Sequence, residues 1–104
     1  MPRAPQCGFH RLAIRDYLTA RRQYAQRDPA VALRFQYAVD RALRIIGANP
    51  AAGSPYRPGY RWTRVRRFPY LIYYEETSPL LITIMAVSHE RRRQGYWVRR
   101  IGRP

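Results

Sequence analysis

The sequence predicts an α+β fold, an N-terminal antiparallel helical hairpin packed on a small antiparallel β-sheet of three to five strands. Three observations carry this. Apolar residues recur at helical spacing through the first half of the chain. The Pro/Gly-rich stretch "NPAAGSPYRPG", from Asn49 to Gly59, then breaks that pattern. Beyond it lie short runs of β-branched and aromatic residues separated by turn residues. The 104 residues suit one domain spanning 1–104. A chain of this length buries roughly 65% of the surface its unfolded form exposes, enough for a core without metal or disulfide staples.

The first helix is expected from about His10 to Gln26. Ala13, Tyr17, Ala20 and Tyr24 share one face, which Ile14, Leu18 and Ala25 widen, and Arg11, Arg15, Arg22 and Gln26 lie mostly away from it. Asp28 is a good N-cap and Pro29 suits the first helical position, so a second helix starts there and runs to about Ala48. Its stripe is Phe35, Val39, Ala42 and Ile46, with Leu43 beside it. Gly47 or Asn49 is placed to take a left-handed cap, and Pro50 forbids continuation. So short a connection makes the two helices an antiparallel hairpin.

Strands follow at "YRWTRVRR" (Tyr60 to Arg67), "YLIYYEE" (Tyr70 to Glu76) and "LLITIMAVS" (Leu80 to Ser88), with a last short one around Tyr96 to Ile101. The N-terminal "QCGFH" reads as an edge strand, weakened by Pro5 and Gly8. The run from Leu80 to Val87 is apolar at both parities: Leu80, Ile82, Ile84 and Ala86 on one side, Leu81, Met85 and Val87 on the other. Two helices cover only one sheet face. Either a partner chain or the C-terminal tail must cover the other, and the partner is the more economical expectation.

Charge narrows the function classes. Twenty basic residues against six acidic give +14, and every basic residue is arginine. Guanidinium grips phosphate or carboxylate with two parallel bonds, so the excess points to a polyanion: nucleic acid, a nucleoprotein particle or an acidic protein segment. No run approaches the length of a membrane helix, the N-terminus lacks a secretion signal, and the single Cys7 cannot form an internal bridge. Together these predict a cytoplasmic protein without a membrane partner. No phosphate loop, metal-ligand spacing or nucleophile elbow is present, and no metal or cofactor is expected. His10 is assigned no role.

The stretch "VSHERRRQGYW" (Val87 to Trp97) gathers the remaining chemistry. Read alone, it is a catalytic cluster for a phosphodiester, a docking patch for an acidic partner, or a solvated strand end. The helix pair joined by "RDPAVALRF", the "NP" that ends it, then "RRFPYLIYY", "AVSHERR" and "GYW", in that order, resemble the RelE/ParE superfamily of bacterial toxins. These are the toxic halves of type II toxin–antitoxin pairs. The resemblance covers about Phe9 to Arg100 and implies a cognate antitoxin, acidic and partly disordered, that folds as it wraps the toxin. RelE-like members enter the ribosome and cut mRNA; ParE-like members poison DNA gyrase and cleave no RNA.

RNA cleavage by a 2′-hydroxyl needs a base, an acid and cations around the phosphorane. His89 is a candidate acid or base, and Arg91, Arg92 and Arg93 candidate phosphate holders. Tyr96 is a candidate stacking group or proton donor, and Glu75, Glu76 or Glu90 a candidate base. The same residues also read as a strand-end histidine bonded to backbone, a solvated charge run and packed aromatics. Arg64 and Arg66 share one strand parity and, with Arg67, make a candidate basic stripe for a phosphate or a partner. The chain has no lysine, which departs from the nuclease branch that uses lysines for proton transfer. The expectation is therefore a ParE-like inhibitor of gyrase. A RelE-like ribosome-dependent nuclease using His89, Arg91, Arg92 and Tyr96 is the alternative, and a non-toxic basic nucleic-acid module the third reading.

Overall fold

A computed structural model of the chain describes residues 5–104. Along the sequence these form β1 (Gln6–Phe9), α1 (Arg11–Arg27), α2 (Pro29–Ala48), a 3₁₀ turn (Pro50–Ala52), β2 (Ser54–Arg57), β3 (Tyr60–Arg64), β4 (Tyr70–Ser78), β5 (Leu81–His89) and a second 3₁₀ turn (Val98–Arg100). The strands make one sheet in the order β1-β5-β4-β3-β2. β2 to β5 pair antiparallel, as expected, whereas β1 adds to β5 in parallel, with Gln6 opposite Leu81 and Phe9 opposite Ile84. The sheet is therefore mixed. Among the described residues no helix is long and apolar enough to cross a membrane.

The helix boundaries follow from local chemistry. His10 caps α1 by accepting the Leu12 N–H at Nδ1, 3.1 Å away. Asp28 serves both helices: its own N–H donates to the Tyr24 carbonyl, and its carboxylate accepts the Ala30 N–H at 2.9 Å. One residue thus ends α1 and starts α2, which forces the hairpin. α2 ends differently from the expectation. Neither Gly47 nor Asn49 turns left-handed; Asn49 has φ −149°, donates to the Ile45 carbonyl, and Pro50 opens the 3₁₀ turn.

The helices and one sheet face enclose the larger core, which includes Ala13, Ala20, Phe35, Val39, Ala42, Ile46, Val65, Tyr70, Ile72, Tyr74, Ile82, Ile84 and Val87. Phe35 is its aromatic hub, with the rings of Tyr17, Tyr24, Phe68 and Tyr70 at 5.1–5.8 Å. Ile14 and Leu18, expected to widen the α1 face, instead stand 44% and 48% exposed.

The opposite sheet face, for which a partner was the more economical expectation, is covered by the chain's own tail. Tyr73, Met85 and Ala86 pack with Trp97, which is fully buried, while Tyr56, Tyr60, Trp62 and Ile101 close the edges. The rings of Tyr56, Tyr60 and Tyr73 lie 5.1–5.6 Å from Trp97. Gly95, at φ 83°, turns the chain into this tail. The segment expected as a last strand is the 3₁₀ turn at Val98–Arg100. The two-sided apolar character of β5 has a second cause. Tyr73 pairs with Ala86 and Tyr74 with Ile84, so Met85 is an extra residue in a β-bulge. The side-chain alternation inverts there. Ile82, Ile84 and Val87 all join the helical core, and Ala86 joins Met85 on the tail side.

Candidate functional site

At the end of β5 a groove of about 410 Å³ lies between α1, the strand end and the tail. Arg15, Asp16, Gln23, His89, Arg92 and Arg100 are among its lining residues. Its centre is Asp16. Oδ2 accepts from the Val87 N–H at 3.1 Å, the Tyr96 hydroxyl at 3.1 Å and the Arg100 guanidinium at 2.7 Å; Oδ1 accepts a second Arg100 bond at 3.1 Å. Arg100 also donates to the Met85 carbonyl, exposed by the bulge, at 3.0 Å. The Asp16 and Arg100 side chains are each 9% exposed. This is a buried, bidentate ion pair whose remaining valences are filled, the arrangement that tolerates burial of charge. It fastens α1 to β5 and to the tail.

Electrostatics follow from that geometry. Burial, then the negative charge of Asp16, pushes the Tyr96 phenol up to about 12. Burial pulls the Arg100 guanidinium down, but its hydrogen bonds and charge pairing with Asp16 outweigh this and leave it raised. The Arg92 guanidinium lies 3.7 Å from the centre of the Tyr96 ring, and that of Arg100 lies 5.1 Å from it. Both are cation–π distances.

The structure brings His89, Arg92 and Tyr96 to one end of the sheet. His89 and Arg92 line the same groove, and Tyr96 and Arg92 line a neighbouring depression with Arg93. His89 accepts the Arg91 N–H at Nδ1, 3.1 Å away, so in the neutral ring Nε2 carries the proton; its ring meets Tyr70 edge-on at 5.2 Å. It is a strand-end histidine bonded to backbone. Arg91 contributes that backbone group, and its side chain is exposed and lines neither depression. The candidate bases lie apart. Glu90 is paired with Arg64 at 2.8 Å, Glu75 accepts from Thr77 at 3.0 Å, and Glu76 lines a cavity beside β2.

The expected stripe of Arg64 and Arg66 on one sheet face does not form. β3 ends at Arg64, Val65 is buried, and Arg66 and Arg67 occupy the turn that follows. Asp16 and Arg100 carry no expectation from the sequence. The signal for Asp16 was a lone acid between Ala13 and Ala20 on the buried side of a basic helix. Arg100, 84 residues away, gave none. His10, left without a role, also holds the tail: its Nε2 donates to the Arg103 carbonyl at 2.7 Å.

Residues 8–94 match the family model described as the ParE toxin of the type II toxin-antitoxin system, parDE. Among solved structures the chain is similar to one described as the chromosomal ParDE TA system from P. aeruginosa, at a TM-score of 0.70 and 21% identity, over 83% of this chain and 96% of that one. That likeness speaks for the fold. No curated protein matches the sequence. The model match stops at Gln94, so Tyr96, Trp97 and Arg100 lie beyond it, while both helices and strands β2 to β5 lie within it. With the matching residues spanning most of the sequence, on a hairpin-over-sheet fold of the same kind, the chain belongs to the ParE toxin family of type II toxin–antitoxin systems.

Proposed function

We propose that this toxin acts by binding and inhibiting DNA gyrase, that it cleaves no RNA itself, and that an acidic cognate antitoxin neutralises it. One observation carries the non-catalytic reading: Tyr96, the candidate proton donor beside His89, is already committed. The Tyr96 hydroxyl donates to Asp16, and the phenol is held far above neutral pH by burial and by that carboxylate. Asp16, the carboxylate of the groove, accepts four hydrogen bonds and is buried against Arg100, which leaves it unsuited to take a proton from a 2′-hydroxyl. Glu75, Glu76 and Glu90 line neither depression. In this reading Arg91, Arg92 and Arg93 serve as contacts to the acidic partner or the target, and the +14 charge draws that partner in.

The ribosome-dependent nuclease reading rests on one observation as well, that His89 and Arg92 share a groove. End-mapping of mRNA in a bacterial translation extract dosed with the purified chain separates the two. The binding reading expects intact message at doses that arrest growth. New cuts inside translated codons, lost in His89→Ala, would establish the nuclease instead.

A further inference from the structure

The six acidic residues of the chain are all engaged or turned elsewhere. Asp16 holds Arg100, Asp28 caps α2, and Asp40 lies on α2 outside the depression described next. Glu75, Glu76 and Glu90 lie on or beside the strands, as described above. None of them lines a separate depression of about 490 Å³ between α2 and the β3–β4 turn. Arg34 and Arg41 reach it from α2, two turns apart on one helix face; Arg66 and Arg67 reach it from the turn; Tyr37 and Phe68 supply aromatic surface. All four arginines are exposed, and none makes an ion pair among the described residues. Four exposed guanidiniums around one depression with no carboxylate raise the local positive potential, which attracts an anion.

The backbone of the turn adds a second, independent observation. The Phe68 N–H donates to the Val65 carbonyl at 3.1 Å, and Arg67 sits at φ 69°. That is the third position of a type II turn, where glycine is the ordinary occupant. Arg67 is the one residue other than glycine in the described chain with a positive φ. Phe68 is pinned against Phe35 and Tyr24 at 5.2 and 5.3 Å, so the turn cannot relax by rotating away. Strain of this kind, carried by an arginine that fills an anion-poor basic depression, is the pattern of a functional side chain.

The aromatic member selects the anion. Tyr37 is 61% exposed and offers a flat ring in the midst of the guanidiniums. A basic groove with an accessible ring is what a single-stranded nucleic acid uses, its phosphates held by the cations and an unstacked base laid on the ring. A duplex keeps its base faces covered, and a run of carboxylates meets the charge but brings no planar group to the ring. We propose that the depression formed by Arg34, Tyr37, Arg41, Arg66 and Arg67 binds single-stranded nucleic acid, independently of gyrase and at a site apart from the groove around Asp16.

The test is fluorescence anisotropy of a labelled single-stranded oligonucleotide titrated with the purified toxin across a salt series. Tyr37→Ala is expected to weaken binding by roughly five- to 150-fold, the range for loss of one stacked base. Arg67→Gly relieves the turn, so it keeps or raises the melting temperature while lowering the slope of log K on log salt by about 0.7, the value for one phosphate contact. Arg57→Gln, an exposed arginine on β2, leaves the affinity within about twofold. The proposal is overturned if Tyr37→Ala binds like the wild type. It is equally overturned if Arg57→Gln weakens binding as much as Arg67→Gly, or if a polyglutamate of equal length competes as well as unlabelled oligonucleotide.

Discussion

Replacing Asp16 by alanine leaves the Arg100 guanidinium buried without its partner and frees the Tyr96 hydroxyl and the Val87 N–H at the same time. Breaking a buried pair from one side costs about 3–5 kcal/mol, so Asp16→Ala is expected to lower the urea midpoint strongly; Asp16→Leu combined with Arg100→Met should recover much of the loss. The same network sets an alkaline limit. The Tyr96 phenol is raised above its ordinary value near 10, to about 12. A neutral phenol favoured by the fold contributes stability that is whole below pH 10 and is lost as pH rises through about 12. Urea midpoints measured from pH 9 to 12 should fall less steeply in Tyr96→Phe than in the wild type. Neither effect was legible in the sequence. Asp16 meets Arg100 only because the tail doubles back over the sheet, and no local pattern reports a pairing across that distance.

The elements divide by how local their causes are. α1 and α2 were readable almost to the residue because capping and periodicity are local: Asp28, Pro29 and the Phe35, Val39, Ala42, Ile46 stripe all sit where the sequence put them. β2 was not readable. "SPYR" lies inside a Pro/Gly-rich stretch and exists because β3 offers it an edge, where a proline is tolerated. The Met85 bulge was hidden as well, since a run apolar at both parities looks the same with or without an extra residue. The tail has the aromatic content of a strand, but Gly95 turns it and Trp97 anchors it in a cage of tyrosines. Two expectations follow for these elements. Trp97→Ala should cost about 3–5 kcal/mol, read as a fall in melting temperature, and should open Tyr73 and Met85 to a hydrophobic dye. Arg67→Gly should gain roughly 1 kcal/mol by relieving the left-handed arginine. Among the described residues the Trp97 indole N–H has no hydrogen-bond partner, and the aromatic packing around it must outweigh that.

For the molecule as a whole, charge and architecture point the same way. The excess of arginine was visible at once and predicted an anionic partner; which arginines face outward together was not, because Arg66 and Arg67 belong to a turn and meet Arg34 and Arg41 only in the folded chain. The family order of helix pair, strands and "HERR" was legible because it is an order along the sequence. The catalytic reading of that last stretch depended on side-chain geometry, which the sequence does not hold. Arg92→Ala removes an exposed guanidinium that stacks on Tyr96, so it should leave the melting temperature within a few degrees while weakening growth arrest; unchanged arrest on expression would remove Arg92 from the contact surface.

Gyrase supercoiling of relaxed plasmid by the purified enzyme, titrated with the purified toxin, tests the central claim most directly. Inhibition by a binding toxin predicts that supercoiling is lost as toxin is added, is equally lost with Tyr96→Phe, and is restored by the antitoxin. Full supercoiling at toxin concentrations that stop growth, with translated message cut within codons, would contradict it.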